Sequence, residues 1–545
     1  MNNQGRKIFL RSFVTLQKIL LLLVLCCFFS TENVIGNEKL SYYISVAGTL
    51  SDSLTKEQKQ TVKELTVSGE IDARDFKFIR ESLPLIQFID IEQCQVKAYT
   101  GNGGTSQTLN IYLQDEVPDY AFYSMQTLKG VKLPLSVKTI GIYVFNGCKM
   151  LESVFLHKNI IKIGDFTFVS CDNLKSFEID KDNLFFSAER SALFNKEKTI
   201  LYQMNYSDSE TYIVPSTVKQ IYRYALYANK NIKEVLLPEA LVQIGYAAFM
   251  NCRNLELLKV PATLKRIGDY AFAYCVNLKS DISEWKLPVQ TGAYAFYFCN
   301  NIRGIYKVEG QTKISPWSFY KCEKLEGVQF VDNLCSVIGE YAFSDNLKMN
   351  GSIIFPESIS IIEAGAFSGC KEITQIEFSS SNVVIERGAF RNCENITGEL
   401  NLPTALKEVK NFCFFNCKKI AKINFPDSLQ KIGDFSFACC AGIADTLRLP
   451  EGLKMIGKNA FEACKSIKYL VIPSSLEIIS HKAFVKCVDI NEIVLNSDSL
   501  AKLNINLKKT FPENVIQRCI LKVPSGSIEK FRTTVWGAFK NIVEY

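Results

Sequence analysis

The chain has 545 residues, of which 47% are hydrophobic and 22% charged, and its formal net charge is +7. This composition excludes a disordered or collagen-like chain, because apolar residues are plentiful and the 29 glycines and 15 prolines are ordinary for the length. Two histidines argue against histidine-based catalysis and zinc sites, whereas 19 cysteines are more than a typical cytosolic enzyme carries.

The N-terminus has the anatomy of an export signal. A basic region around Arg6 precedes an apolar run of eleven residues over Ile19 to Phe29. That run is shorter than the roughly 20 apolar residues that span a bilayer. Gly36 is small enough for cleavage before Asn37. We therefore predict that residues 1–36 are a signal peptide and that the chain is secreted or displayed at the cell surface.

Lipidation at Cys26 is the competing interpretation of this segment. Leu25 precedes that cysteine, and lipoprotein signals normally have a small residue there. Removal of residues 1–36 takes away four basic residues and one acidic residue, which lowers the net charge from +7 to +4. The sequence after residue 36 contains no basic run, and it contains no second apolar segment long enough to span a bilayer. We therefore expect no nucleic-acid partner and no transmembrane segment after cleavage.

An internal repeat runs over residues 117–496. Phe-x-x-Cys pairs recur mostly at steps of 23 or 24 residues, and the frame gives about fifteen units if Met125, Asn229 and Asn346 fill the cysteine position. The column of twelve cysteines comprises Cys148, Cys171, Cys252, Cys275, Cys299, Cys322, Cys370, Cys393, Cys417, Cys440, Cys464 and Cys487. Such a period lies in the range of leucine-rich repeats.

Each unit has two parts, as the segment from Leu255 to Cys275 illustrates. Its first part alternates apolar residues up to Pro261, which predicts a short strand that the proline ends. The second part has apolar spacings of three and four, which predicts a helical or 3₁₀ turn, and Gly268 lies at the tight turn between the parts. Stacked units then form a right-handed α/β solenoid with one long parallel sheet and short turns opposite.

The array has one irregular segment. Residues 180–215 carry extra apolar and aromatic residues in short runs, which predict a hairpin-like insertion bulging from the solenoid.

The repeated string Ile-Gly-x-x-Ala-Phe-x-x-Cys-x-x-Leu-x-x-Ile-x-Leu-Pro resembles that of the BspA-like leucine-rich repeat surface proteins of Bacteroides-type bacteria. The resemblance implies an N-terminal cap over residues 37–116, with a helix from Thr55 to Lys63 and an early strand from Leu85 to Ile91. It also implies a C-terminal cap over residues 497–545. Adhesion to host matrix proteins or to other microbes is the function that it implies.

The cysteine column favours buried free thiols, because free cysteine is among the most buried residue types. Neighbouring cysteines in stacked units would have parallel Cβ vectors, which disulfide geometry disfavours. No CxxC pair accompanies the column, and His157 and His481 lie far apart, which argues against zinc. Disulfides within the column stay an open alternative. The sequence gives no role to the cysteines outside the column, which are Cys94, Cys335, Cys413, Cys439 and Cys519.

No motif for catalysis occurs in the chain. It contains no Gly-rich phosphate loop, nucleophile elbow or HExxH, and its carboxylates are scattered over the repeats. We therefore expect no enzymatic activity, no metal site and no cofactor.

The outward positions of the predicted strands are the candidate ligand-binding residues. Fifteen units at about 4.8 Å each would give a face roughly 70 Å long, which suits a macromolecule better than a small molecule. The candidates are Lys175, Glu178, Lys233, Glu234, Lys259, Glu326, Gln329, Gln375, Glu377, Lys422, Asn424, Lys468 and Tyr469.

These observations predict a monomeric leucine-rich repeat protein that binds an extracellular protein or glycan in an adhesin-like way. The alternatives are an envelope polysaccharide-binding protein and a purely structural surface component. Aromatic platforms around Trp285 and Trp317 would favour the polysaccharide, and alternating charge without such platforms would favour a protein partner.

Overall fold

A computed structural model describes residues 38–106, 111–205, 209–285, 290–503 and 505–545. The predicted signal peptide and Cys26 lie outside these residues. In the described part of the chain, strands stack in parallel from turn to turn, so the solenoid predicted from the repeat is confirmed. No helix among the described residues is long and apolar enough to cross a membrane.

The predicted strands form a series of longer strands, which we call the strand face. In the N-terminal part they are Lys39–Ile44, Glu64–Ile71, Phe88–Asp90, Cys94–Val96, Gly130–Lys132, Ser153–Leu156 and Ser176–Ile179. In the middle they are Thr211–Ile213, Glu234–Leu236, Leu257–Lys259, Gly304–Val308, Leu325–Phe330, Gly351–Phe355 and Ile373–Phe378. The series ends with Gly398–Asn401, Ile420–Asn424, Asp445–Arg448, Ile467–Ile472, Glu492–Leu495, Ile520–Val523 and Asn541–Glu544.

A second series of short parallel strands precedes the glycine of each unit, and the sequence did not predict it. The series contains Glu116–Val117, Thr139–Ile140, Lys162–Ile163, Gln220–Ile221, Gln243–Ile244, Arg266–Ile267, Gln290–Thr291, Lys313–Ile314, Val337–Ile338, Ile361–Ile362, Val384–Ile385, Glu408–Val409, Lys431–Ile432, Met455–Ile456 and Ile478–Ile479. Only two residues of each unit pair in this way, which is too short a run to show period-two alternation.

The segment expected to be a helical or 3₁₀ turn consists of consecutive turns instead. In the unit around Phe272, both Tyr270 and Tyr274 have positive φ angles, of 56° and 63°. A left-handed residue at every fourth position prevents a helix from forming. The amides of Tyr270, Phe272 and Tyr274 donate to carbonyls of the next unit at 2.7–2.9 Å, and this pattern forms a third ladder between turns.

The glycines after the short strands are required by close stacking rather than by a special φ angle. A Cβ on Gly268 would lie 2.7 Å from backbone atoms of Gly245 and Tyr246 in the preceding unit. Gly164 and Gly339 meet the preceding backbone at 2.6 Å in the same way. Each glycine therefore lets two turns approach.

Residues of the predicted insertion form a three-stranded antiparallel meander. Its strands are Phe186–Glu189, Ala192–Asn195 and Ile200–Met204. The last of these pairs in parallel with Gln220–Ile221, so the meander rejoins the short-strand series.

The ends of the array carry the longer helices. In the N-terminal region these are Leu50–Ser53, Lys56–Thr61 and Ala73–Ser82, followed by a small antiparallel pair of Tyr99–Thr100 with Ile111–Tyr112. In the C-terminal region they are Leu507–Thr510, Glu513–Arg518 and Ile528–Arg532. The 3₁₀ segments are Ile282–Glu284, Asp498–Lys502 and Val535–Ala538. Thr55 caps Lys56–Thr61 with a capping box, where the sequence predicts a helix from Thr55 to Lys63.

A stack of phenylalanines forms the centre of the solenoid. Rings from Phe249 to Phe511 lie in register over consecutive units, with centroids 5.0–5.6 Å apart and nearly parallel planes. The buried apolar residues divide into two clusters that meet at Leu193 in the meander. The fold thus presents the strand face and a second surface formed by the consecutive turns, such as Tyr270 to Tyr274, which we call the turn face.

Candidate binding surfaces

The cysteine column lies inside the turn face and has a hydrogen-bonding role. All twelve column cysteines are buried free thiols. Each Sγ lies 2.9–3.2 Å from the carbonyl oxygen of the aromatic or leucine residue in the preceding unit, as Cys440 does at 3.1 Å from Phe414 O. In most units the column therefore supplies a second donor to a carbonyl that already accepts the backbone amide three residues further along, as Phe414 O accepts from Cys417 N at 3.3 Å.

Asn346 donates from the same position of the column, whereas Met125 fills it without a donor. The Nδ2 of Asn346 donates to Phe319 O at 3.0 Å and to Phe343 O at 2.8 Å. The sequence interpretation treated the column as small apolar groups, and it missed this role. The signal that could have revealed it is the replacement of cysteine by asparagine at 229 and 346.

Burial keeps the column thiols protonated. It raises the pKa of Cys148 to about 12 and that of Cys487 to about 12. Further along the column, Cys393 has its pKa raised by burial and then by the neighbouring Cys370. A protonated thiol can donate its hydrogen bond at physiological pH.

The five cysteines outside the column are also free thiols. Cys94, Cys335, Cys413 and Cys519 are buried, and Cys439 is half-buried. No group of three or more His, Cys, Asp and Glu side chains among the described residues is arranged to hold a metal ion.

The structure places all thirteen candidate ligand-binding residues on or beside the strand face. Glu234 and Asn424 are half-buried, and the others are exposed: Lys175, Glu178, Lys233, Lys259, Glu326, Gln329, Gln375, Glu377, Lys422, Lys468 and Tyr469. The parallel strand register places each candidate beside a residue of the neighbouring unit. For example, Gln375 lies beside Ser352, and Glu377 lies beside Ile354.

Several charges on this face pair with the preceding unit. Lys233 Nζ lies 2.7 Å from Glu210, Lys422 lies 3.2 Å from Glu399, and Lys468 lies 3.0 Å from Asp445. Asn424 donates to Glu399 as well, at 2.9 Å. Exposed pairs of this kind contribute little to stability, because solvent screens them, so their side chains can exchange partners readily.

Apolar side chains interrupt the charges near the middle of the strand face. Ile213 is 68% exposed, Leu257 51% and Ile305 41%, and Leu236 lies beside Ile213 in register. The strand face is therefore mixed in character.

Beside the meander, the strand face contains a pocket of about 460 Å³. Its lining includes Lys175, Glu189 and Tyr212. Among the described residues, the buried hydroxyl of Tyr212 has no hydrogen-bond partner, and burial raises the pKa of Tyr212. The neighbouring residues 206–208 lie outside the described part of the chain.

The turn face carries a ladder of nine aromatic rings that the sequence analysis did not identify. Successive centroids are 3.8–5.8 Å apart through Tyr120, Tyr143, Phe166, Tyr224, Tyr246, Tyr270, Tyr294, Trp317 and Tyr341. A second row lies beside it, comprising Tyr123, Tyr227, Tyr297 and Tyr320 at 5.0–6.0 Å from the ladder. We call these thirteen rings the aromatic strip.

Eight of the nine ladder residues are left-handed, and Tyr246 directly precedes the left-handed Ala247, which explains how the ladder was missed. Tyr120, Tyr143, Tyr270, Tyr294 and Trp317 all have φ angles near 57°. A helix of the expected kind would have distributed these side chains around its axis, whereas the left-handed turn aligns them in one row. The strip is half-buried, with Tyr123 and Tyr246 more than 40% exposed.

Ring faces within the ladder are largely covered by neighbouring rings. Tyr294 stacks on Tyr270 with planes 3° apart and on Trp317 with planes 5° apart. Tyr341 covers the other face of Trp317 at 4.3 Å. Trp285 is buried and packs on Phe296. Neither tryptophan offers an open ring face.

The described chain matches a known repeat family over most of its length. Residues 115–200, 197–288, 289–403 and 384–507 match the family described as BspA type leucine rich repeat region, in six copies. A comparison with curated proteins finds no match.

Three solved structures of bacterial leucine-rich repeat proteins are similar to this chain. A leucine-rich repeat protein from Bacteroides ovatus is 20% identical, with 84% of this chain and 87% of that chain covered and a TM-score of 0.38. A leucine rich cell surface protein from Faecalibacterium prausnitzii is 22% identical, with 57% and 95% covered and a TM-score of 0.38. A leucine-rich repeat protein from Eubacterium ventriosum is 17% identical, with 70% and 82% covered and a TM-score of 0.31.

Proposed function

We propose, from the premise that this chain belongs to the BspA-type leucine-rich repeat family, that it is a surface-displayed protein whose repeat array binds extracellular proteins in an adhesin-like way. The predicted signal peptide supports export. The observation that carries the proposal is the stacked frame, because it holds exposed side chains of consecutive units in fixed register over a long surface.

The strand face supports recognition at many points. Lys422 comes from one turn of the array, Lys468 and Tyr469 come from another, and all three are exposed. Each contact on such a surface contributes little alone, and a rigid frame lets several act together without a further ordering cost.

The covered tryptophans weigh against the polysaccharide alternative. Recognition of sugars by stacking needs an open aromatic face, and Trp285 is buried while Trp317 is enclosed between Tyr294 and Tyr341. A protein partner needs no such platform.

The experiment is a binding screen of the purified chain against immobilised matrix proteins and a panel of glycans. The Lys422→Ala/Lys468→Ala variant tests the strand face, and Lys259→Ala serves as a control on a distant part of the same face. We expect saturable binding to at least one protein, and the double variant to weaken it more than the control does. Binding to glycans alone, with no protein retained, would contradict the proposal.

A further inference from the structure

We infer that the aromatic strip is a docking surface for a proline-rich segment of a partner protein in the polyproline II conformation. The inference rests on the proposed function, since it names one surface and one class of partner for it. The inference is based on four properties of the strip: its lack of charged residues, its shape, its exposed hydrogen-bond donors and its period.

The rows of the strip contain no charged residue. In the nine units from Tyr120 to Ser344, the column of left-handed residues, which holds every ladder ring except Tyr246, and the column three residues later contain no Asp, Glu, Lys or Arg. Charged residues begin in the flanking columns, as with Arg223 and with Lys321, whose Nζ lies 5.6 Å from the ring centroid of Tyr320. Surfaces rich in Tyr and Trp and poor in charge are typical of the energetic centres of protein interfaces.

The strip is long and narrow. It is two rings wide, since the rows lie 5.0–6.0 Å apart. Nine units at about 4.8 Å give a length of about 40 Å. A surface of roughly 10 by 40 Å is about half of the 800 Å² that a typical globular partner covers. A single thin chain therefore fits it better than a folded domain does.

The exposed edges of the rings offer hydrogen-bond donors. Because the faces of Tyr143 and Tyr294 are stacked on both sides, ring edges and phenol groups are what remains for solvent. Burial and neighbouring tyrosines raise the pKa of Tyr143 and Tyr270, so their hydroxyls stay protonated. A polyproline II chain exposes its carbonyl groups, and its prolines have no amide hydrogen, so it requires donors from its partner.

The period of the strip matches that of the ligand. Three residues of polyproline II form one turn that advances about 9.3 Å. Two repeat units advance about 9.6 Å. The same face of the ligand would therefore meet equivalent rings at every second unit. Aromatic surfaces bind such chains in other recognition domains because the ligand is already ordered before binding.

We expect the ligand to bind mainly where the rings of the strip are packed most closely. Tyr297 lies 5.2 Å from Tyr320, and Trp317 lies 5.0 Å from Tyr320. Trp317 is also the one half-buried tryptophan of three, since Trp285 and Trp536 are buried. Its fluorescence therefore reports on this part of the surface.

The test is a titration of the purified chain with a twelve-residue polyproline peptide, followed by tryptophan fluorescence and calorimetry. A glycine-serine peptide of equal length, a collagen-like triple-helical peptide and a neutral cello-oligosaccharide are the comparison ligands. We expect the polyproline peptide to bind and to change the Trp317 emission. The Tyr297→Ser/Tyr320→Ser variant should weaken binding at least tenfold, and Lys422→Ala/Lys468→Ala should leave it unchanged.

Three outcomes would overturn the inference: no polyproline binding, equal binding by the tyrosine variant, or binding only of the triple-helical peptide or the oligosaccharide. A matching circular dichroism spectrum and melting temperature show that the tyrosine variant is folded, and Tyr297→Phe/Tyr320→Phe separates the hydroxyls from the rings. If a matrix protein binds through Lys422 and Lys468 while the peptide does not bind, the proposed function stands and this inference fails.

Discussion

At the residue scale, the cysteine column shows how one side chain can serve two needs. The side chain fits a buried site, and its thiol gives the carbonyl of the preceding unit a second donor beside a backbone amide. The position and spacing of the column were readable from the sequence. Its donor role was not, because the left-handed turn that brings the thiol to this carbonyl has no motif in the residues themselves.

Replacement of Cys440 tests that role. Cys440→Ala should lower the free energy of unfolding by about 0.5–1.5 kcal/mol, because Phe414 O loses one of its two buried donors and keeps only the amide of Cys417. Cys440→Ser keeps a side-chain donor and should lower the free energy of unfolding less than alanine does. Urea denaturation of both variants provides the measurement. Equal losses for alanine and serine would mean that the thiol acts by its apolar volume alone.

The column also predicts an alkaline loss of stability. The unfolded thiols ionise near their ordinary pKa of 9.0, whereas burial raises the pKa of Cys148 and Cys487 to about 12 in the folded chain. Above pH 9 the unfolded state therefore binds fewer protons than the folded state, so stability falls as pH rises from 9 towards 12.

Urea midpoints at pH 8, 9.5 and 10.5 measure this dependence. A variant with serine at Cys417, Cys440 and Cys464 should show a shallower decline, because serine does not titrate in this range. An identical decline in the serine variant would assign the effect to the tyrosines instead.

At the scale of the element, the repeat unit was largely predictable. The alternating residues before Pro261 marked the strand Leu257–Lys259, and Gly268 marked the boundary that follows it. The sequence did not predict the short strand Arg266–Ile267, and it predicted a helical or 3₁₀ turn where the structure has consecutive turns. Spacings of three and four fit a helix as well as consecutive turns, and only the contacts with the next unit decide between them. The aromatic strip depends on that turn, which is why it was missed.

The glycine after each short strand provides a test of the stacking. Gly268→Ala should destabilise the chain by about 1–3 kcal/mol or more, because its Cβ would lie 2.7 Å from the backbone of Gly245. Gly327→Ala is the matched control, since its nearest neighbours are side-chain atoms of Ile305 at 3.8 Å or more. Thermal melting of both variants is the measurement. A melting temperature lowered equally in both would show that backbone approach does not set the requirement.

At the scale of the whole molecule, the array was predictable as one solenoid but not as two packed blocks. The boundary lies at what we call the joint, where the turn at 166–171 meets the turn at 224–229. Among the described residues, no backbone hydrogen bond of the turn ladder crosses it. Contacts of Phe166 with Tyr224 and of Asp165 with Arg223 connect the turns instead, at 3.8 Å between rings and 3.0 Å between charges. Long insertions obscure such a junction in sequence, because they hide which turns become neighbours.

The joint predicts two cooperative units of unfolding. Hydrogen exchange in low denaturant should show one unit N-terminal to Leu193 and one C-terminal to it, since the two apolar clusters meet there. Arg223→Ala should speed exchange at residues 166–170 with little effect beyond Phe249. Exchange of the entire array as one unit would contradict this division.

The two series of strands and the consecutive turns form three ladders of hydrogen bonds, and these also determine how the molecule would respond to force. Their hydrogen bonds run along the axis of the array, so tension applied between the two ends loads every interface between turns in series. Among the described strands, Ser176–Ile179 does not pair with Thr211–Ile213, and Lys162–Ile163 does not pair with Gln220–Ile221, so no ladder crosses the joint directly. The ring contact and ion pairs at the joint are therefore the weakest connection in the series. Tension between the two ends would extend the molecule first at the joint, while the C-terminal block, with its uninterrupted phenylalanine stack, would keep its shape.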